Sequence, residues 1–465
     1  MARLSRKEIV TATGAIDTGG NGGESFDRFS IDSRSIRKGD LFIAIIGPHH
    51  DGHKFVGEAA RNGASGILAS RPPSPPVPDR LPVFEVPDTH QALQDLAAFV
   101  RRREHLKVIG ITGSAGKTTT KEMAFHVVSA ATSSYRSPGN LNNLYGLPLA
   151  LLRMPEGTET AVLEMGMSSK GELLRLARIA GLDVGCLINI LPVHLEFFDS
   201  VEEIAAAKAE IFEEPTPAST AVWNRDDPLV ESICRDLACH SVSFGLRPGA
   251  DWSAGAIKEQ GLEGISFDLL SPDGSEPVHL RAPGRHNLEN ALAAAAIGGA
   301  CGISLERIAA ALERFRPLQM RGACTTLPSG VRIIDDCYNS NPAAMERVLD
   351  WFSGLETGGR RIMVSGDMLE LGSGEEENAH RRLGKQVAQS KTDMFIGVGP
   401  LHAHSVEAAR GAGLHQSFHF ATAEEAGEYL AGQVHPDDLL LIKGSRGIRM
   451  EQVIRKLDSR ERCGG

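Results

Sequence analysis

Strand-like apolar runs and helical apolar stripes follow one another along the chain in three successive stretches. In residues 1 to about 105, short strand-like runs such as Leu41 to Ile46 and Gly66 to Ala69 accompany one amphipathic helical pattern from Asp88 to Arg103. Six prolines between Pro72 and Pro82 predict a stiff surface loop. A different rhythm begins at Val108, where an apolar strand enters a glycine-rich turn and a helix led by Lys and Thr, followed by further strands and helices. That alternation predicts a parallel α/β sheet. After a helix expected at Leu305 to Phe315, a new series starts, with strands at Val331 to Ile334, Arg361 to Val364, Met394 to Val398 and Leu439 to Ile442. Helical patterns at Ala343 to Phe352, Ala379 to Gln389 and Met450 to Leu457 lie between and after them, predicting a second doubly wound unit. No repeat of solenoid period is present.

A chain of 465 residues is expected to hold about three domains, placed at 1–105, 106–316 and 317–465. Hydrophobic residues form 42% of it and charged residues 23%, the balance of a globular protein with a large core. A formal net charge of -10 gives no general attraction to nucleic acid, and Arg101 to Arg103 is read as a solvated helix end. Seven cysteines without a CxxC pair argue against a disulfide framework or a zinc site. The amino terminus lacks the apolar stretch of a signal peptide, and no apolar run approaches the roughly 20 residues of a membrane span. Ala291 to Ile303 is read as small-residue helix core. A cytoplasmic monomer with no nucleic-acid partner and no membrane span is therefore expected.

The chemistry concentrates at strand ends. After Val108 to Ile111 comes Thr112-Gly113-Ser114-Ala115-Gly116-Lys117-Thr118-Thr119-Thr120, opening a helix. Its glycines let backbone N–H groups approach phosphate oxygens, the helix amino terminus favours an anion, and Lys117 reaches terminal phosphates. Thr118 is the expected magnesium ligand. The strand Thr160 to Glu164 ends in a carboxylate, and ligands of open α/β sheets bind beyond the carboxyl ends of strands, so Glu164 is a second candidate for magnesium. Val184 to Ile190 carries Asn189 near its end, and His194 follows in the same position relative to a strand. In the helical stretch Val201 to Phe212, Lys208 lies on the stripe of Val201, Ile204 and Ile211. A lysine there either snorkels to solvent or is held inside, where desolvation lowers its pKa and a neutral amine combines with carbon dioxide to give a carbamate. Gly397 and Gly399 follow a strand, but the third glycine of a dinucleotide fingerprint is missing.

Taken together these residues resemble the Mur ligases of peptidoglycan synthesis, over nearly the whole chain. The first stretch contributes Asp32-Ser33-Arg34, Gly39 to Ala44 and Asp51-Gly52-His53; the second adds Thr112 to Met123, Gly139 to Asn143, Glu164 to Met167, Lys208 to Phe212 and Gly284 to Asn290. Met320 to Gly322, Asp335 to Pro342, Gly366 to Gly372 and Lys443 to Arg446 complete the pattern, and the Tyr338 to Pro342 and Gly366 to Gly372 runs point to the branch that adds D-alanyl-D-alanine.

The resemblance implies three α/β domains: a small N-terminal UDP-substrate domain, a central P-loop ATPase-like domain with a parallel sheet, and a C-terminal Rossmann-like domain binding the incoming dipeptide. It implies ATP and magnesium as cofactors and UDP-N-acetylmuramoyl-tripeptide and D-alanyl-D-alanine as substrates. Thr112 to Thr119 would hold the ATP phosphates, Thr118 and Glu164 one magnesium ion, and His194 with carbamylated Lys208 another. Asn290 would lie against adenine, Arg321 at the terminal phosphate and Asp336 at the ribose. Asp32, Ser33 and Arg34 would sit near the uridine, and Asn339 and Asn341 near the dipeptide. Lys117, Lys208, His194 and Arg321 are the expected catalytic set. Two departures stand beside these residues: Leu144-Tyr145 is more apolar than the family pattern, and Cys337 stands where serine is commoner. The alternatives are a neighbouring Mur-type ligase adding a single amino acid, or a nucleotide-gated binding protein without catalysis.

Overall fold

The computed structural model describes residues 3–463 apart from 21, 48, 75, 193–197, 217, 370 and 372–373. Three α/β units follow one another along it. The first holds a five-stranded sheet in the order Ile16–Asp17, Val83–Glu85, Gly66–Ala69, Asp40–Ile43, Arg28–Ser30, parallel except at the Ile16–Asp17 edge. Its long helix, Thr89–Glu104, starts where Asp88 accepts the N–H groups of His90 and Gln91. That cap satisfies donors with no partner inside the helix, which is why the helix begins there.

The second unit carries six parallel strands in the order His240–Phe244, Thr220–Asn224, Val184–Leu187, Lys107–Thr112, Thr160–Glu164, Ser134–Arg136. Inner strands such as Thr160–Glu164 are buried along their whole length, as expected of a sheet covered on both faces. From Lys107–Thr112 the chain first adds strands on one side and then on the other, so this strand marks the switch point where a crevice opens beyond the strand ends. The expected alternation does not run unbroken to the end of the unit. An antiparallel meander, Ser253–Glu259, Ile265–Ser271 and Gly274–Leu280, interrupts it before the helices Arg285–Ala300 and Leu305–Arg314. Its middle strand buries Ile265, Phe267 and Leu269 at period two.

The third unit has strands in the order Ala323–Thr326, Arg332–Asp336, Leu439–Lys443, Arg361–Gly366, Met394–Val398, Ser417–Phe420, all parallel but the first. Beneath Gly366 lies a fully buried polar group of Asp367, His380 and His402. His380 is held by Glu376 O at 2.6 Å and by the Met368 N–H at 3.2 Å, while His402 bonds Ser365 and Ser405 at 2.7 and 2.9 Å. Protein partners thus engage both nitrogens of each ring.

The joints between units differ. One apolar cluster runs from Leu4, Phe26, Leu93 and Leu96 of the first unit through Leu147, Leu151, Leu173 and Leu176 of the second. The basic run that the sequence assigned to solvent helps to close this joint. Arg101 of that run donates to the carbonyls of Ala180 and Gly181 and pairs with Asp183 at 2.9 Å, whereas Arg103 pairs with Glu8 at 2.9 Å inside the first unit. The Arg101 guanidinium finds orphan carbonyls at the end of the helix Glu172–Ala180, a pairing no local pattern announces. The buried residues of the third unit's cores, in contrast, all come from residues 327–457, with half-buried Leu262 of the second unit packed against one of them.

Candidate active site

At the carboxyl end of Lys107–Thr112 the chain turns through Gly113 to Gly116 and enters the helix Lys117–Ser129. Gly116 has φ +81°, and a Cβ there would lie 2.4 Å from Asn290 Oδ1, so the position admits only glycine. Asn290 is fixed in turn by the Thr120 hydroxyl, which donates to it at 3.1 Å. Behind the loop, Asn189 accepts the Ala115 N–H at 2.9 Å and its carbonyl accepts the Ser114 N–H at 3.0 Å. The loop is thereby held in place, and Lys117 curls over it to donate to Gly113 O at 2.8 Å.

Beside the loop, the Thr118 hydroxyl donates to Glu164 Oε2 at 2.9 Å, and Asn142 Nδ2 donates to Glu164 Oε1 at 2.8 Å. Lys121, buried beneath them, stands 3.8 Å from Glu164 and donates to Ser137 O and Gly139 O, pinning the start of the segment that carries Asn142. Hydroxyl and carboxylate oxygens converging at a phosphate loop are the donors that magnesium takes, and these residues fit that ion. Lys208 is 2% exposed and lines the same cavity. Burial, and after it the nearby Lys117 ammonium, hold its amine well below the ordinary lysine range. The sequence left open whether Lys208 snorkels; it is inside. His194 lies outside the described residues.

The opposite wall comes from the third unit. Arg321 lays its guanidinium over the Tyr338 ring at 3.8 Å and donates to Thr118 Oγ1 at 3.1 Å. Lys443 pairs with Asp336 at 2.6 Å and donates to Asn339 O at 3.0 Å. Asn341 caps the helix Pro342–Gly354, accepting the Ala344 N–H at 2.8 Å. Farther along, Trp351 of that helix meets His286 edge-on, with ring centres 6.2 Å apart, and Arg347 reaches Glu289 at 3.5 Å. A cavity of about 420 Å³ results, within the range of small-molecule sites.

The structure therefore brings Ser114 to Thr119, Glu164, Lys208, Asn290, Arg321, Asp336, Asn339 and Asn341 around one cavity. Thr112 and Gly113 back the loop without lining it; the Thr112 hydroxyl is buried and Gly113 abuts Ile188. Asp32, Ser33 and Arg34 lie apart from the cavity in a turn of the first unit, where Asp32 pairs with Arg34 at 2.9 Å and Ser33 donates to Glu58 at 2.7 Å. Sequence reasoning did not single out Asn142, Lys121, Tyr338 or Lys443 as site residues, although each sits inside a motif it quoted. Trp351 and His286 meet only because two units face each other.

Family profiles for the Mur ligase family catalytic domain, the Mur ligase middle domain, and the Mur ligase glutamate ligase domain match residues 26–101, 111–298 and 320–446. A UDP-N-acetylmuramoyl-tripeptide--D-alanyl-D-alanine ligase of Bacillus subtilis is 35% identical over 430 residues, 92% of each chain. A crystal structure of MurF from Acinetobacter baumannii superposes with TM-score 0.90 at 31% identity, covering 99% of both chains. MurF ligase from Thermotoga maritima, solved in complex with ADP, superposes with TM-score 0.81 at 29% identity, covering 94% of this chain and 98% of that one.

Proposed function

The chain belongs to the Mur ligase family, and from that premise we propose that it joins D-alanyl-D-alanine to UDP-N-acetylmuramoyl-tripeptide, cleaving ATP to ADP and phosphate. The observation that carries this reading is one cavity uniting a braced phosphate loop, the buried Lys208 and the Arg321 guanidinium of the third unit, in a chain matching a ligase of that name over 92% of its length. We take the units as 1–105 for the UDP substrate, 106–316 for ATP and 317–465 for the dipeptide, in a cytoplasmic monomer.

In this reading the N–H groups of the loop and helix start that Asn189 does not engage, together with Lys117, bind the ATP phosphates. Asn290, Asp336 and the His286–Trp351 wall receive the nucleoside. Thr118 and Glu164 would hold one magnesium ion, and His194 with Lys208 a second; bound there, magnesium neutralises charge on the phosphoryl oxygens. The Lys208 amine, its pKa lowered by burial, in its neutral form adds to carbon dioxide and loses a proton, which would turn an uncharged donor into a carboxylate-like ligand.

The terminal carboxylate of the tripeptide attacks the γ-phosphorus, forming an acyl phosphate and releasing ADP. The dipeptide amine then adds to the acyl carbon, loses a proton and expels phosphate, leaving an amide. No protein nucleophile is required, so the chain's task is positioning and charge stabilisation. Arg321 faces the transferring phosphoryl group from Thr118, and the third unit, by closing on it, keeps water from the acyl phosphate.

The test is phosphate release with ATP and magnesium, comparing both substrates together with each alone and with single amino acids. Release that needs the dipeptide, with a UDP-linked pentapeptide as product by mass, supports the reading. Release with a single amino acid moves the chain to a neighbouring ligase, and release with no acceptor combination leaves the binding-protein alternative.

A further inference from the structure

The connection between the second and third units contains a left-handed residue that is not glycine. Met320 has φ +65°, a conformation in which its Cβ crowds the following carbonyl, and Arg321 is the next residue. A residue with a side chain persists there only when its surroundings over-determine it. Three bonds do so. The Met320 N–H donates to Asp335 Oδ2 at 2.9 Å, the Tyr338 N–H donates to Met320 O at 3.2 Å, and the Gly322 N–H donates to Asp335 O at 2.8 Å.

Asp335 sits in the strand Arg332–Asp336 and is itself held from the far side. The Cys337 thiol, fully buried, donates to Asp335 Oδ1 at 2.7 Å. Burial and the adjacent carboxylates push that thiol far above the ordinary cysteine range, so it stays protonated and acts as a donor. The relay ends at chemistry: Met320 in this conformation sends the Arg321 guanidinium across the Tyr338 ring to Thr118.

We propose that Asp335 and Cys337 are positioning residues for Arg321, the thiol fixing the carboxylate that locks Met320 in the left-handed conformation. Neither touches substrate. If Asp335 is released, Met320 relaxes, the peptide preceding Arg321 turns, and the guanidinium leaves the phosphoryl site. The departure of Cys337 from the serine commoner in this family is functionally silent on this account, because a serine hydroxyl at this position is also a donor for the Asp335 carboxylate. The inference rests on the reading of Arg321 as the group facing the transferring phosphoryl.

The experiment is a double-mutant cycle on the full-length enzyme. Cys337→Ala is expected to lower kcat roughly ten-fold and Asp335→Asn more, with KM for the UDP substrate and the melting temperature unmoved, and Cys337→Ser to restore most of the loss. In the Arg321→Ala background, itself lowered roughly a thousand-fold, Cys337→Ala should cost nothing further. Equal losses from Cys337→Ala in both backgrounds, a serine variant as poor as the alanine one, or a drop in melting temperature matching the lost activity would overturn the positioning role. An Arg321→Ala enzyme with unimpaired turnover would instead remove the reading beneath it.

Discussion

Lys208 offers a perturbation whose effects on stability and on function should carry opposite signs. The side chain is 2% exposed, and its charged neighbour is another lysine, Lys117. Folding must therefore strip the proton from Lys208 or bury the charge, and both are unfavourable. Lys208→Met keeps the volume of the stem and removes the amine. Replacing a buried charge by a packed apolar group stabilises by on the order of 1–4 kcal/mol, and in a unit of this size each kcal/mol moves the melting temperature by about 2–4 °C. In metal-free buffer purged of carbon dioxide at neutral pH, the variant should melt several degrees above the parent. Its phosphate release with both substrates should fall by more than about ten-fold, since even outer-sphere metal partners are worth roughly 10–100-fold. Bicarbonate should act on the parent alone, adding the mass of one carbon dioxide to the peptide containing Lys208. Lys208→Ala, which leaves room at the site, should regain part of its turnover with small carboxylic acids. A lower melting temperature for Lys208→Met would refute the argument from desolvation, and undiminished turnover would refute the metal-bridging role.

Other expectations can be checked separately. Gly116→Ala pays about 1–2 kcal/mol for φ +81° and drives a methyl into Asn290; calorimetry with a non-hydrolysable ATP analogue should show weakened binding, and unchanged affinity would mean that the loop is not preformed. Asn142→Ala frees one oxygen of Glu164 and should raise the magnesium concentration for half-maximal activity roughly ten-fold while sparing the fold; a change in melting temperature alone would contradict this. The third unit should weaken on acidification. His380 and His402 have pKa values held below 6.5 by burial, so below that pH the unfolded chain binds more protons, and each such proton costs about 1.4 kcal/mol per pH unit. Asp367, with its pKa raised above 3.8, works in the opposite sense only at more acidic pH. Melting curves between pH 7.5 and 5.5 that do not shift would count against the buried histidines.

The phosphate loop, Glu164 and the inward Lys208 were legible because each is encoded locally, by a strand end, a glycine pattern or a helical stripe. The meander escaped although Ile265, Phe267 and Leu269 alternate cleanly, because the reading carried the strand and helix rhythm through it. Arg101 was misjudged for a different reason. A guanidinium at a helix end looks solvated until the carbonyls it meets, about eighty positions away, are known. Likewise Tyr338 lay inside a quoted motif, yet its use as a platform for Arg321 depends on how two units face each other. Asp32, Ser33 and Arg34 bond within the first unit, so their expected uridine role gains nothing from the cavity.

The unequal joints make the molecule a vice with one fixed jaw. The first two units share an apolar core and are stitched by Arg101, so the jaw that would hold the large UDP-linked precursor cannot swing away from the phosphate loop. The third unit, whose buried cores are its own, meets the second through the cavity wall and the half-buried Leu262, and in the proposed mechanism it would be the moving jaw. Such an opening would expose the proposed nucleotide and dipeptide seats while the long precursor kept its alignment. A failed closure would let the small amine escape and leave the costly precursor on the enzyme.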